Sequence, residues 1–169
     1  MIILSGRFKG LPVKTSSEMP YRPTKSRVRK SLFDKLSPFG FETVLDLFSG
    51  SGIMGFEAAS RGASDISFVE KHNKSLGMMK DNSSKFQGVK FNFIQNDVFS
   101  FLKKANGFDL IFADPPYGRF ELKPLSESIL EHLNKNGKFI LECEKSQVPF
   151  LNCDVSDYGD TRILSWTNL

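Results

Sequence analysis

An acid, two prolines and an aromatic residue, Asp114-Pro115-Pro116-Tyr117, follow directly on the most apolar run of the chain, Phe108 to Ala113. Two successive prolines cannot continue a strand ladder, and they hold the backbone stiff. The tetrad therefore sets a carboxylate, exposed carbonyls and a ring at the end of a buried strand. That combination suits methylation of a planar exocyclic amine. Such an amine is a poor nucleophile, because its lone pair is delocalised into the ring it hangs from. If the Asp114 carboxylate and the Pro115 carbonyl accept its two N–H hydrogens, the lone pair is aimed at the incoming methyl group. The carboxylate also stabilises the positive charge that develops on nitrogen. In-line positioning supplies much of the remaining effect. Tyr117 can stack on a base turned out of its helix. Asp114, Pro115, Pro116 and Tyr117 are the candidate catalytic residues. The plainer alternative is a strand-ending turn around a buried aspartate.

A second constellation lies upstream. Asp46-Leu47-Phe48-Ser49-Gly50-Ser51-Gly52, continuing to Gly55, joins a short apolar strand to a helix. Glycines let the backbone turn sharply and let a ligand lie against bare main chain. The spacing of Gly50, Gly52 and Gly55 also fits a dinucleotide-binding turn. Glu70 stands about 20 residues on, where a ribose-binding acid is expected. A nicotinamide or flavin protein is thus a competing reading of the glycines. Two acids favour S-adenosyl-L-methionine instead. Asp46, just before the turn, would repel a pyrophosphate and attract the ammonium of a methionine moiety. Asp97, after a later strand, can accept from an adenine amine, or can simply cap the helix that starts at Val98. The candidate cofactor-binding set is Asp46, Phe48, Gly50, Gly52, Glu70, Asp97 and Val98.

These residues need a sheet whose strand ends share one edge, and the patterning predicts one. Strands are expected over 44–48, 66–69, 89–94, 108–113 and from Phe139, with helices over 73–86, 98–104 and 122–133 and another ending near Arg61. Asn136-Gly137 is read as the stop of the last of these helices. Two further strands, 154–158 and 161–166, flank a hairpin turn at Gly159-Asp160. Alternating strand–helix units closed by a hairpin imply a mostly parallel sheet with an antiparallel edge. Ahead of this body, residues 2–15 read as a short hairpin or loop. Thr24 is the expected N-cap of a helix that docks through Val28, Leu32 and Leu36. A boundary near residue 40 divides a small N-terminal extension, 1–40, from the body, 41–169.

Charge follows that division. Residues 1–35 carry a net +7 and the remainder a net −3, for a total of +4. A basic arm on a slightly acidic body suits a polyanion such as RNA, with Arg7, Lys9, Arg22, Arg27, Arg29 and Lys30 as candidate contacts. A merely solvated basic surface is the alternative. Cys143 and Cys153 are the only cysteines, and no CxxC or His/Cys cluster occurs, so no metal site is expected. No apolar leader or membrane-length run is present, and a cytoplasmic protein is expected. Nothing in the patterning demands a dimer, and a monomer is expected.

The joint motifs are similar to those of the bacterial RsmD-type enzymes, which methylate guanine N2 in 16S ribosomal RNA. The resemblance covers nearly the whole chain. It runs through Gly6-Arg7-Phe8-Lys9-Gly10, Arg22-Pro23-Thr24, Arg27-Val28-Arg29, the glycine turn, Ser60-Arg61-Gly62-Ala63, Phe68-Val69-Glu70, the Asp114 tetrad and Tyr158-Gly159-Asp160-Thr161. It implies a Rossmann-like, seven-stranded class I methyltransferase sheet, with the cofactor and catalytic roles carried by the residues named above. It also implies that the basic arm holds ribosomal RNA or a partly assembled small subunit. One departure stands out: residues 143–150 are short where this fold usually has another helix, so that face is expected to be thin. Other readings are an adenine-N6 or glutamine-amide methyltransferase and a non-catalytic RNA-binding assembly protein. A chain of 169 residues leaves little room for the target-recognition domain of a DNA enzyme.

Overall fold

The structure, a computed structural model, describes residues 1–16 and 24–169. Alternation of strand and helix is realised almost as the sequence predicts. In chain order the elements are α1 (Ser26–Lys35), β1 (Thr43–Leu47), α2 (Ile53–Ser60), β2 (Asp65–Glu70), α3 (Asn73–Ser83), β3 (Lys90–Gln95), α4 (Val98–Leu102), β4 (Phe108–Ala113), α5 (Leu122–Leu130), β5 (Leu133–Glu144), β6 (Asp154–Tyr158) and β7 (Thr161–Thr167).

The seven strands form one sheet in the order β3-β2-β1-β4-β5-β7-β6. Strands β1 to β5 pair in parallel, and β7 runs antiparallel between β5 and β6. The chain winds outward from β1 to β3, then crosses back to place β4 on the other side of β1. Ligands in such sheets bind at the carboxyl ends of the strands, beside that reversal. Asp46 lies on β1 and Asp114 immediately follows β4, so the two named acids flank the switch point.

Strand alternation sorts the core onto two faces. Val44, Ile66, Phe68, Leu110 and Phe112 join one apolar cluster with α1, α2 and α3. Leu45, Leu47, Val69, Ile111 and Ala113 join the other with α4 and α5. The first cluster also takes in Ile3 and Val13 from the N-terminal segment and Val28, Leu32 and Leu36 from α1. The expected docking stripe is therefore buried against the sheet-facing helices, and the N-terminal segment shares its core with the body.

Three expectations need correction. The last helix does not reach Leu133, and β5 begins there rather than at Phe139. Asn136, at φ 63°, and Gly137 form an irregularity within β5, where the pairing with β4 jumps from Leu133 to Lys138. The amide of Asn136 donates to the Asn168 carbonyl and the Gly137 carbonyl accepts from Asn168, so turn residues read as a helix stop serve a bulge. Thr24 is not the cap of α1. That position is Lys25, and no side chain caps the helix. Finally, Arg29, expected among the RNA contacts, is wholly buried.

Residues 143–150, where the sequence lacks a helix, hold none: Cys143 and Glu144 end β5, and 145–153 are irregular. They still cover part of the sheet. Phe150 lies 5.6 Å from the Trp166 ring, and the indole N–H donates to the Leu151 carbonyl at 3.1 Å.

Candidate active site at the carboxyl edge of the sheet

Sharp reversal between β1 and α2 is forced by Gly52, which caps the helix at φ 73°. A side chain there would be strained, and its Cβ would lie 2.7 Å from the Met79 sulfur. Phe48 takes a positive φ of 56° just before the turn, which is rare for an aromatic residue. Two carboxylates hold the resulting loop. Asp46 accepts the Gly55 amide at 3.0 Å, and Glu70 accepts the amides of Gly50 at 2.9 Å and His72 at 2.8 Å. Asp46, Glu70, Gly50 and Gly52 are thus brought together, with both acids buried. Burial pushes the Asp46 carboxyl up to about 8, the Gly55 amide opposing and the charge of Glu70 adding to the rise.

Asp97 lies farther out. It is exposed and caps α4, with its side chain accepting the Ser100 amide at 2.9 Å. Hydrogen bonding from Ser100, its side chain first and then its amide, holds the pKa below the usual carboxylate range. Val98 is buried behind it. Phe48 and Phe120 meet edge-on at 5.1 Å, and Phe99 lies 6.2 Å beyond Phe120, 42% exposed. These rings form an apolar patch between the glycine loop and the Asp97 cap, which no sequence spacing announces.

The tetrad leaves β4 at the same edge. Pro115 is buried, Pro116 exposed, and Tyr117 49% exposed. Together with Gly118, Phe120, Leu122, Glu142 and Val148 they line a cavity of about 380 Å³, within the usual range for a small-molecule site. Asp114 is half-buried, and its carboxyl is pushed well above the ordinary range by loss of solvent, then by the negative charges of Glu142 and Asp46. Burial raises the Tyr117 phenol to about 12, helped by the same Glu142 and by Asp114, so it stays neutral. Cys143 also lines the cavity; burial drives its thiol to about 12, which removes it as a nucleophile.

Glu142 is the residue that sequence reasoning missed. It lies on β5 next to Leu141, which pairs with Ala113, so it stands beside Asp114 on the neighbouring strand. Its Oε2 accepts the Thr24 hydroxyl at 2.9 Å across 118 residues of chain. The signal available was a lone acid in an otherwise apolar strand, Phe139 to Cys143.

The basic arm divides. Arg7, Lys9, Arg27 and Lys30 are exposed, the last paired with Asp34 at 2.8 Å. Arg22 lies outside the described residues. Arg29 is not available to RNA: its side chain is 0% exposed, with Nε 3.2 Å from Glu57 and Nη2 donating to the Ile2 carbonyl at 2.8 Å. Glu57 also accepts the amides of Leu4 and Ser5 and pairs with Arg61. The helical spacing of Arg29 with Leu32, Phe33 and Leu36 placed it on the buried stripe all along. The neighbouring motifs interlock in the same way. Gly6, at φ 83°, packs so closely that a Cβ would sit 1.9 Å from the Ser60 carbonyl, which accepts the Arg7 amide. The Ser60 hydroxyl accepts the Phe8 amide.

A larger cleft of about 680 Å³ opens at the amino edge of the sheet, between Arg7, Phe39 and Gly88. Arg61 borders it but is committed to Glu57 and to the Phe33 ring at 4.6 Å. The glycine loop and the tetrad are at the other edge, while Arg7, a candidate RNA contact, borders this cleft. Among the described residues no group of three or more His, Cys, Asp or Glu is arranged to hold a metal ion, and no helix is long and apolar enough to cross a membrane.

Comparison with known proteins agrees with this geometry. Residues 1–162 match the family described as Conserved hypothetical protein 95. The ribosomal RNA small subunit methyltransferase D of Haemophilus influenzae is 34% identical over 156 residues, 86% of this chain and 79% of that one. The protein of the same name from Buchnera aphidicola (subsp. Acyrthosiphon pisum) is 32% identical over 151 residues, 86% and 78%. A solved structure of a hypothetical protein from Thermus thermophilus superposes with a TM-score of 0.85 at 29% identity, covering 98% of each chain.

Proposed function

The chain belongs to the Conserved hypothetical protein 95 family, the family of the ribosomal RNA small subunit methyltransferases D, and on that premise we propose that it methylates the N2 amine of a guanine in 16S ribosomal RNA. The methyl donor in this reading is S-adenosyl-L-methionine. The chain's seven-stranded sheet, mostly parallel with an antiparallel C-terminal hairpin, fits a class I methyltransferase. The residues present suit that donor. A bare glycine backbone lies against the loop, Asp46 offers a buried carboxylate to an ammonium, and Glu70 offers one to a ribose diol. The Phe48–Phe120 patch and the Asp97 cap offer a face and an acceptor to adenine.

The bound donor supplies an electrophilic methyl group. Everything else falls to the chain. Asp114 and the Pro115 carbonyl accept the two amine hydrogens and turn the nitrogen lone pair toward the methyl. As the C–S bond breaks and the N–C bond forms, the carboxylate faces the growing positive charge. The nitrogen then passes one proton to the Asp114 carboxylate, leaving a secondary amine and S-adenosylhomocysteine. Tyr117, half exposed and uncharged, is placed to stack on the extruded base. Arg7, Lys9, Arg27 and Lys30 hold phosphates, and the substrate is ribosomal RNA alone or in a partly assembled subunit. The protein acts as a cytoplasmic monomer in this reading.

The observation that carries the proposal is the gathering at the switch point of the glycine loop, held by the buried Asp46 and Glu70, and the Asp114 tetrad, which leaves the adjacent strand β4. The test is transfer of labelled methyl from S-adenosylmethionine to small-subunit particles lacking the modification, followed by mapping. Label on one guanine N2 is the expected result. Label on an adenine, or none in the presence of demonstrated cofactor binding, refutes the guanine assignment.

A further inference from the structure

We propose that Glu142 reads the target base, accepting the N1–H of guanine while Asp114 accepts from N2. The inference rests on the function proposed above. Its basis is the placement of two acids on adjacent strands, with Glu142 lining the cavity that the rest of the tetrad lines. The β4–β5 register pairs Ala113 with Leu141, so the next residues, Asp114 and Glu142, stand side by side at about one strand spacing, ~4.8 Å. Glu142 lines the same cavity as Pro115, Pro116 and Tyr117.

The chemistry of the base matches that pair. Guanine carries N1–H and the N2 amine next to each other on its Watson–Crick edge, so it presents only donors to this side of the site. A carboxylate is an acceptor only. Adenine and 2-aminopurine each carry a bare N1 lone pair, which Glu142 would repel. Two neighbouring acids therefore favour guanine and disfavour the other purines at once, by attraction and by repulsion.

Glu142 is also aimed. The Thr24 hydroxyl, itself buried, donates to its Oε2 at 2.9 Å. Thr24 lies two residues ahead of α1, the helix of the basic arm. The arm proposed to grip RNA thus touches the carboxylate proposed to read the base. Thr24 is a positioning residue in this scheme, and Glu142 a specificity-determining one.

The experiment exchanges hydrogen-bond polarity on both sides. Small-subunit particles are reconstituted with RNA carrying either guanosine or 2-aminopurine riboside at the mapped position; the analogue keeps the C2 amine but loses N1–H. The wild type should prefer guanosine strongly. Glu142→Gln can donate to a bare N1, so it should lose roughly 10- to 100-fold in kcat/KM on guanosine, the effect of losing one charge-assisted hydrogen bond, and lose most of the preference. Affinity for S-adenosylhomocysteine should stay within about twofold, which reports on folding. Thr24→Val keeps the acid and should erode the preference in the same direction by a smaller factor. An unchanged guanosine preference in a folded Glu142→Gln protein, or in Thr24→Val if the first variant fails to fold, overturns the role of Glu142 alone. A wild type that labels no guanine overturns the underlying function, and this proposal with it.

Discussion

Around Glu57, where the N-terminal segment is anchored, Arg29 and Arg61 bring two positive charges, and the amides of Leu4 and Ser5 donate to the same carboxylate. Around Asp114, at the carboxyl edge, the charges that bear on the acid are Glu142 and Asp46, both negative. Both regions place acids out of water. In the first, the partners come from the chain and the acid serves to fasten one segment to another. In the second, burial, then Glu142 and Asp46, raise the pKa of Asp114, at the edge proposed to take a ligand that brings donors and positive charge. A carboxylate pushed up by neighbouring negative charge marks a candidate functional edge, and one shared between cations and amides marks a structural joint.

Substitutions should separate the two kinds of acid. Asp114→Ala should reduce methyl transfer by about a thousandfold, since it removes an acceptor aimed at developing charge. Its affinity for S-adenosylhomocysteine should hardly change, and so should its unfolding midpoint. Substantial residual transfer in a labelled-methyl assay would break the assignment. Arg29→Met should behave in the opposite way, destabilising the fold by about 3 kcal/mol, toward the low end for a broken buried pair because Arg61 still faces Glu57. Urea denaturation measures this. A loss below about 1 kcal/mol would mean that the pair is a minor joint. The double variant Arg29→Met/Glu57→Leu should not recover the loss, because Arg61 and the amides of Leu4 and Ser5 then lose their shared carboxylate.

Asp46 sharpens the contrast through pH. Its folded-state carboxyl titrates at about 8 against an ordinary 3.8. A raised carboxyl pKa favours the protonated folded form. The stabilising contribution is therefore complete below about 4 and is lost as pH climbs toward 8. An ammonium ligand requires the anion, so below pH 8 binding must expel a proton. Affinity for S-adenosylhomocysteine should rise with pH by at most about tenfold per unit between 6 and 8, then level off. Calorimetric titration across that range checks this, and Asp46→Asn should flatten the slope while weakening binding. A flat profile in the wild type would show that Asp46 does not face the ammonium.

The difference between the two regions also explains what was legible in the sequence. The glycine loop and the Asp114 tetrad are local: strand, turn and acid lie within about ten residues, so type and spacing suffice. The interlock of Gly6, Ser60, Arg29 and Glu57 is non-local. A linear reading counted Arg29 as one more basic residue, although its spacing with Leu32 and Phe33 already put it on the apolar stripe. Glu142 needed the β4–β5 register before it could be set beside Asp114. Asn136-Gly137 misled because a turn dipeptide stops a helix and makes a strand bulge with equal ease; only the bonds to Asn168 decide between them.

With Arg29 removed from the candidate RNA surface, the remaining exposed cations carry the smallest expected effect. Arg27 is exposed at the start of α1, and Lys30 is exposed but already engaged with Asp34. Such a surface pair contributes little to stability, so reversing both charges should leave the unfolding midpoint nearly unchanged. RNA affinity should respond differently. Each phosphate contact releases counterions, and its loss should reduce the slope of log affinity against log salt by roughly 0.7 to 0.9. Arg27→Glu with Lys30→Glu should thus lower the slope by between one and two such steps. Arg27 should account for most of the change, because freeing Lys30 for a phosphate means giving up Asp34. An unchanged slope would place the RNA-binding cations elsewhere on the arm and leave these two as solvated charges.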